Sequence, residues 1–117
     1  MSTASDNQDR KLMAALKRGN MEAFEQLFYK YYRRLYALFY RLTWDDGRAE
    51  DLLQETFMRV WRGAMTFRED LKVSSWVYRI GRNCWIDLEA RRSSVRRAVD
   101  VESDSLLDSG RVDALSE

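Results

Sequence analysis

The sequence predicts an all-α fold: a compact bundle of about four helices, followed by a disordered acidic C-terminal tail. Proline is absent from the 117 residues and glycine occurs only five times, whereas a long all-β fold needs turn residues in number. Apolar residues recur at helical spacing in separate segments of the chain. Hydrophobic residues make up 45% of the chain and charged residues 33%, which is enough apolar mass for one core.

The first helix is predicted from Asp9 to Arg18, after a polar and frayed N-terminus at residues 1–8. Its apolar positions are Leu12, Met13 and Leu16. Gly19 follows as a residue that ends a helix, because glycine adopts the left-handed conformation without strain. Asn20 can cap the second helix, since its side chain can accept a hydrogen bond from a free backbone N–H of the next turn.

The second and third helices carry the clearest apolar stripes. The second helix has apolar residues at offsets of 0, 3, 4, 7, 11, 14, 15 and 18 from Phe24, and it ends at residues 44–47. The third helix runs from about Arg48 to Arg62, and Gly63 closes it. Its stripe comprises Ala49, Leu52, Leu53, Thr56, Phe57, Val60 and Trp61. Aromatic residues that keep step with these stripes, Trp61 included, are expected to pack in the core.

The fourth helix follows a connecting loop at residues 64–73, and Ser74 or Ser75 can cap it. Its predicted buried stripe is Val77, Ile80, Gly81, Cys84 and Leu88. After residue 97 the composition becomes polar with few aromatics, which is typical of a linker or a disordered tail. The predicted organisation is a frayed segment at 1–8, a helical domain at 9–97 and an acidic tail at 98–117.

Charge is distributed unevenly along the chain. Residues 1–97 hold 19 Lys and Arg against 13 Asp and Glu, whereas residues 98–117 hold one Arg against six acids. Within the first part, residues 45–57 hold five acids and one Arg, and residues 66–97 hold eight Lys and Arg against four acids. A basic C-terminal third that follows an acidic helix indicates two different partners.

The composition excludes several classes of site. The chain has no histidine and a single cysteine, Cys84, which excludes Ser-His and Cys-His catalysis, histidine-ligated metals, an internal disulfide and a cysteine-cluster zinc site. No glycine-rich phosphate loop is present, so we expect a non-enzymatic protein without a cofactor or metal. The N-terminus lacks an apolar segment and no run reaches ~18 apolar residues, which predicts a cytoplasmic protein without membrane insertion.

The fourth helix carries the richest candidate surface. Four of its residues are spaced three or four apart and therefore share one face: Trp76, Arg79, Asn83 and Asp87. Arginine can contact phosphates and asparagine can pair with base edges, while Trp76 and Trp85 can either stack on bases or fill a core. For Trp76 the core is slightly favoured. Single-stranded nucleic acid and a merely solvated arginine face explain the charge pattern equally well.

The acidic third helix offers a second surface. Asp51 and Glu55 are spaced i, i+4 and Gln54 lies beside them. This strip is either plain solvated surface or a site that docks on a basic pair of helices in a partner.

Three stretches of the sequence occur in a characteristic order: DRKLMAALKRGNMEAFEQLFYKYYRRLY (9–36), AEDLLQETFMRVWR (49–62) and SWVYRIGRNCWID (75–87), with the basic pair Arg91-Arg92 after them. In this order and spacing they resemble region two of bacterial extracytoplasmic-function (ECF) sigma factors, the alternative sigma subunits of RNA polymerase. The resemblance covers roughly residues 9–97. It implies a sigma domain that binds the core enzyme, recognises and melts the promoter −10 element, and so initiates transcription.

The resemblance also implies which residues contact each partner. The third helix would dock on the clamp helices of the polymerase β′ subunit through Asp51, Gln54 and Glu55. Its support from within would come from Leu52, Leu53, Phe57 and Trp61. Promoter DNA, mainly its non-template single strand, would bind the loop and the fourth helix. Asn83 matches the asparagine of the family's I-x-R-N motif, and the implied phosphate contacts are Arg79, Arg82, Arg91 and Arg92.

The same DNA site includes a base pocket in the family. The residues implied as its walls are Phe67, Arg68, Lys72, Val73 and Ser74, and Trp76 and Asp87 lie on the helix face beside it.

Family members are commonly held inactive by an anti-sigma factor, so such a partner is expected. They usually carry a second, helix-turn-helix domain that reads the −35 element, and the stretch 98–117 resembles the linker to it. We therefore expect this chain to be either a fragment of a longer protein, which is favoured, or a natural single-domain form. The competing hypothesis is a helical adaptor that binds a partner helix and has no DNA role.

Overall fold

The computed structural model describes residues 3–107, with side chains up to residue 99, and every regular element within that range is helical. Its four α-helices are α1 (Ala4–Lys17), α2 (Met21–Thr43), α3 (Asp46–Gly63) and α4 (Val73–Leu107), and a 3₁₀ turn, Ala64–Thr66, follows α3. The predicted all-α fold of about four helices is confirmed. The chain divides into two compact units, one that ends at Trp85 and one that begins at Ile86.

The start of α1 is set by a capping box. The Thr3 hydroxyl accepts a hydrogen bond from the Asp6 backbone N–H at 3.0 Å, and the Asp6 carboxylate accepts one from the Thr3 N–H at 3.3 Å. These two bonds satisfy backbone donors that a helix start leaves free. The helix therefore begins at Ala4, earlier than the predicted start at Asp9.

The turn between α1 and α2 follows the sequence prediction. Gly19 has φ +89°, the left-handed conformation that glycine adopts without steric cost. The Asn20 side chain accepts a hydrogen bond from the Ala23 N–H at 3.1 Å and so caps α2.

The corner between α2 and α3 contains only Trp44 and Asp45. Trp44 has φ 53°, and its backbone N–H donates to the Tyr40 carbonyl at 2.7 Å. Asp45 caps α3 by accepting a hydrogen bond from the Arg48 N–H at 3.1 Å. Two antiparallel helices joined by so short a connection form an α-hairpin.

Helix α4 is longer than the sequence predicted. It begins at Val73 and continues past residue 97, where the tail was expected to begin, as far as Leu107. The stretch from Ala90 to Ala98 is rich in arginine and alanine and contains no proline or glycine, so nothing in it stops a helix once started. The rest of the predicted tail, residues 108–117, lies outside the described residues.

The core of the first unit is built from one apolar face of each helix. Its buried side chains include Met13, Leu27, Leu35, Phe39, Leu52, Phe57, Val60, Val73, Val77 and Cys84. At Gly81 the helix α4 passes close to α2, since a Cβ there would lie 3.2 Å from Phe39 Cζ and 3.3 Å from Leu35 Cδ2. The absence of a side chain at Gly81 therefore permits this close approach.

Trp61 departs from the predicted core. Its side chain is 41% exposed, although its position fits the apolar stripe of α3. The indole packs edge-on against Phe24 at a centroid distance of 5.3 Å, so one part of the ring is covered and the remainder faces outward. Helical periodicity identified the side of α3 on which Trp61 lies but not the extent to which α2 covers it.

Candidate nucleic-acid interface

The outward face of α4 in the first unit is positively charged. Four side chains on it are exposed: Ser75, Arg79, Arg82 and Asn83. They lie opposite Val73, Val77 and Cys84, which are buried, because α-helical residues advance by about 100° each. Among the side chains that the structure describes, neither Arg79 nor Arg82 forms an ion pair. Both guanidinium groups therefore present five N–H donors to solvent or to an anion.

A groove of ≈ 570 Å³ runs beside this face, between α2 and α4. Its apolar lining comes from Leu38 and Leu42 of α2 and from Tyr78 and Trp85 of α4, and its remaining lining residues are Ser75, Arg79 and Arg82. Leu38 and Leu42 are the residues at offsets 14 and 18 in the apolar periodicity of α2. The groove was missed because it is formed by two helices that lie 30 or more positions apart in the chain. Its only sequence signal was Trp85, an aromatic residue in a basic helix.

Trp76 turns away from the exposed face. Its indole packs against the Phe67 ring at a centroid distance of 5.0 Å, and a Cβ at Gly63 would lie 3.2 Å from its ring. The side chain is half-buried. Of the two alternatives for Trp76, packing is therefore the one that the geometry favours. Of the predicted stripe, Arg79 and Asn83 share the open face, and Asp87 is an exposed residue of the second unit.

The loop before α4 is held in place by its own apolar residue. Phe67 is buried, and its backbone carbonyl accepts a hydrogen bond of 2.7 Å from Lys17 Nζ on α1. The same ammonium group lies 5.8 Å from the centroid of the Phe67 ring. Val73, the first residue of α4, is buried as well. Both residues were expected to line a base pocket, but in this conformation they support the loop from within.

The other predicted loop residues are accessible. Arg68 and Lys72 are exposed, and Arg68 forms an ion pair with Asp70 at 2.8 Å. Ser74 is half-buried at the start of α4. Of the five predicted wall residues, Arg68, Lys72 and Ser74 are therefore the ones that can reach a ligand without rearrangement of the loop.

A polar network joins α1 to α2 near Ser74. The Asp9 carboxylate is only 1% exposed; it accepts a hydrogen bond from the Tyr31 hydroxyl and pairs with Lys30 Nζ at 2.5 Å. Burial raises the pKa of Tyr31 well above its ordinary value, and the hydrogen bond to Asp9 raises it further. The neutral phenol therefore donates its hydrogen bond to the Asp9 carboxylate. This network fixes α1 against α2 beside the loop.

The acidic face of α3 is only partly available. Asp51 and Gln54 are exposed, whereas Leu52 and Leu53 are buried and can act only as support, as predicted for them. Glu55 already pairs with Arg59 at 3.0 Å. It also pairs with Arg62 at 3.4 Å, so part of its charge is neutralised. Two apolar residues on this helix are exposed: Met58, which the sequence did not single out, and Trp61, which was expected in the core.

The second unit contributes two further predicted residues. Arg91 is exposed, and Arg92 is half-buried and pairs with Glu89 at 3.6 Å. Within this unit Arg91 is thus the better candidate for a phosphate contact.

Over the part of the chain that the structure describes, no group of three or more acidic or cysteine side chains could hold a metal ion. No helix in that part is both long enough and apolar enough to cross a membrane.

Residues 27–97 match the family model described as Sigma-70 region 2. The chain is 35% identical over 97 residues to the ECF RNA polymerase sigma factor SigM of Mycobacterium tuberculosis, which covers 83% of this chain and 49% of that protein. It is 35% identical over 78 residues to the ECF RNA polymerase sigma factor SigW of Bacillus subtilis, covering 67% of this chain and 42% of the relative. The chain thus spans about half, or less, of the length of these curated relatives.

Among solved structures, the chain resembles an NMR structure of an engineered region 2 of sigmaE in complex with GTAAAA. The TM-score is 0.63 at 29% sequence identity, and the match covers 72% of this chain and 90% of the other.

Proposed function

Because this chain belongs to the sigma-70 region 2 family and is the region 2 of an ECF sigma factor, we propose that it binds core RNA polymerase and captures the non-template strand of the promoter −10 element. It acts as a transcription initiation subunit rather than as an enzyme, and it works in the cytoplasm, where RNA polymerase acts. An anti-sigma factor is its expected regulator.

The observation that carries the proposal is the open face of α4. Arg79, Arg82 and Asn83 are exposed together, and no ion pair within the described side chains occupies either guanidinium. Two unpaired arginines attract the phosphate backbone without regard to sequence, whereas an amide can form paired hydrogen bonds with a base edge. A face of this composition suits a strand whose base edges are exposed.

The magnitudes also favour a role inside a larger complex. Opening a duplex costs about 1.4 kcal/mol of stacking per step. Stacking of one base on an aromatic side chain gains about 1–3 kcal/mol. One captured base and a few phosphate contacts therefore offset only one or two opened steps. We expect the isolated chain to bind a separated strand in preference to a duplex and to open promoters only with the polymerase.

The second surface of the proposal is α3. Asp51 and Gln54 are exposed on it, and they are proposed to contact the β′ clamp helices, with the buried Leu52 and Leu53 fixing the helix beneath them. A helical adaptor without a DNA role would use such a face as well, but it would have no use for the unpaired arginines and the exposed amide of α4.

The test is fluorescence anisotropy of the chain with labelled single strands. The strands are GTAAAA, the ligand of the engineered sigmaE region 2, and permutations of it, each flanked by thymidines, at two salt concentrations. We expect one sequence to be preferred, and Asn83→Ala to abolish the preference while salt-dependent binding remains. Asn7→Ala, at an exposed asparagine of α1, is the matched control. Binding that is absent at low salt, or equal for all sequences and for Asn83→Ala, would contradict the proposal.

A further inference from the structure

We propose that the groove between α2 and α4 is a pocket for one unstacked nucleobase of the bound strand. The proposal rests on the proposed function, since it identifies which part of the ligand this groove receives. It concerns the lining formed by Leu38, Leu42, Tyr78 and Trp85 together with Arg79 and Arg82, which is separate from the predicted loop pocket around residues 67–74.

The size and lining of the groove suit a flat guest with apolar faces. Its volume of ≈ 570 Å³ lies in the range of small-molecule sites. Leu42 is 39% exposed, so an apolar surface lies open to water in the absence of a ligand. Covering that surface with the face of a base removes it from water, and such a contact does not depend on base identity.

The aromatic part of the lining consists of Tyr78 and Trp85. Tyr78 packs edge-on against Tyr31, with ring centroids 5.9 Å apart and an interplanar angle of 86°. Trp85 is half-buried, and its buried Nε1–H has no hydrogen-bond partner in the structure as described. Trp85 therefore contributes a ring surface to the groove rather than a donor. Tyr78, held against Tyr31 in this way, offers a stacking partner without further loss of side-chain freedom.

The charges of the groove identify the occupant as part of a nucleic-acid strand. Arg79 and Arg82 lie at i, i+3 on α4, both line the groove, and neither has an acidic partner among the described side chains. A base seated on the apolar lining brings its two flanking phosphates within reach of these guanidiniums. An apolar helix of a protein partner would fill the lining but leave both arginines without an anion.

The test couples the groove to a single position of the strand. The tightest-binding strand of the set described above is compared with strands that lack one base at each position in turn. With the unmodified chain, one abasic position should weaken binding by about 5- to 100-fold. Trp85→Leu should weaken binding of the intact strand by a similar factor. This variant should bind the strand with that abasic position as tightly as it binds the intact strand. Trp85→Phe keeps an aromatic ring and should preserve most of the difference.

Two further variants complete the design. Tyr29→Leu removes an aromatic side chain that is 73% exposed on α2 but does not line the groove, and it should change nothing. Leu42→Glu places a carboxylate in the groove at a residue that is 39% exposed, so the variant should fold even if Trp85→Leu does not. It should also abolish the difference in affinity between the intact strand and the strand with that abasic position. Thermal unfolding by circular dichroism establishes that each variant is folded.

The outcomes separate this proposal from the function on which it rests. Strand binding that still depends on Asn83 but is unchanged by Trp85→Leu and Leu42→Glu overturns the groove alone. If the losses of binding free energy from Trp85→Leu and from the abasic position are additive, the groove proposal is also overturned. Two changes to the same contact cannot act independently. Failure of every strand to bind overturns both proposals.

Discussion

Lys17 on α1 and Phe67 in the loop before α4 are joined by a hydrogen bond of 2.7 Å from the Lys17 ammonium to the Phe67 carbonyl. The two residues are fifty positions apart in the chain, so α1 acts directly on the loop that precedes the candidate DNA-binding face. The ammonium also lies 5.8 Å from the centroid of the Phe67 ring, which adds a cation–π contact.

Replacing Lys17 by methionine should loosen this loop. The change removes a hydrogen bond from a charged donor and leaves a partly buried carbonyl without its partner, and we expect the free energy of unfolding to fall by about 1–2 kcal/mol. Hydrogen exchange of the amides near Phe67 should accelerate more than exchange in α3. Lys11→Met, at an exposed lysine on the same helix, is the control. Equal exchange in the two variants would show that Lys17 does not hold the loop.

Tyr36 and Asp46 link α2 to α3 and predict an alkaline dependence of stability. The hydrogen bond that the Tyr36 hydroxyl donates to Asp46 raises the pKa of Tyr36 from 10.0 to about 12, with desolvation as a further cause. A group whose pKa is higher in the folded state contributes stability that is fully present below its unfolded pKa. This contribution is therefore present below pH 10 and is lost as the pH rises through about 12.

The measurement is the thermal midpoint of the unmodified chain and of Tyr36→Phe across that interval. The difference between them should shrink steadily with rising pH, because the phenylalanine variant lacks both the bond and the titrating group. A difference that does not change with pH would mean that the Tyr36 phenol titrates alike in the folded and unfolded chain.

Gly81 should not tolerate a larger side chain. Its backbone lies so close to α2 that even a Cβ would be 3.2 Å from Phe39 Cζ, and a valine would add two methyl groups to the same space. We expect Gly81→Val to lower the free energy of unfolding by about 1–3 kcal/mol through overpacking, as measured by urea denaturation. Gly47→Val, at an exposed glycine of α3, is the matched control and should change stability less. Equal effects of the two substitutions would attribute the loss to helix propensity alone.

Asp51 should matter more than Glu55 for docking on the polymerase core. Asp51 is exposed, whereas Glu55 already pairs with Arg59 and Arg62. We expect Asp51→Lys to weaken binding to core polymerase by about tenfold or more and Glu55→Gln to weaken it less. Glu22→Lys, an equal charge change on an exposed residue of α2, is the control. Affinity for core polymerase is measured by biolayer interferometry. An unchanged affinity of Asp51→Lys would show that this face of α3 does not contact the polymerase.

The sequence predicted those parts of the fold that depend on local chemistry. Gly19 and Asn20 form the turn that their residue types favour, and the spacing of Arg79 and Asn83 places both on one exposed face. These features need only the conformational preferences of single residues and the period of a helix.

What the sequence did not reveal depends on packing between distant segments. Leu42 fits the core stripe of α2, yet it lines an open groove because α4 leaves that end of α2 uncovered. Phe67 was interpreted as a wall of a pocket. It is buried because Lys17 of α1 and Trp76 of α4 pack against it, and neither helix contains Phe67 itself. Periodicity defines a side of a helix, but the neighbouring helix decides how much of that side is covered.

The two-residue corner at Trp44 and Asp45 has a consequence for how the two proposed surfaces are used. Helix α3 carries the docking residue Asp51, and α2 carries Leu42 of the groove; the pair is also packed through Phe28 and Phe57, whose ring centroids are 4.8 Å apart. Because only two residues connect α2 and α3, the orientation of the docking surface relative to the groove is set when the chain folds. The entropy of orienting them is therefore lost at folding, and neither the polymerase nor the DNA strand has to supply it on binding.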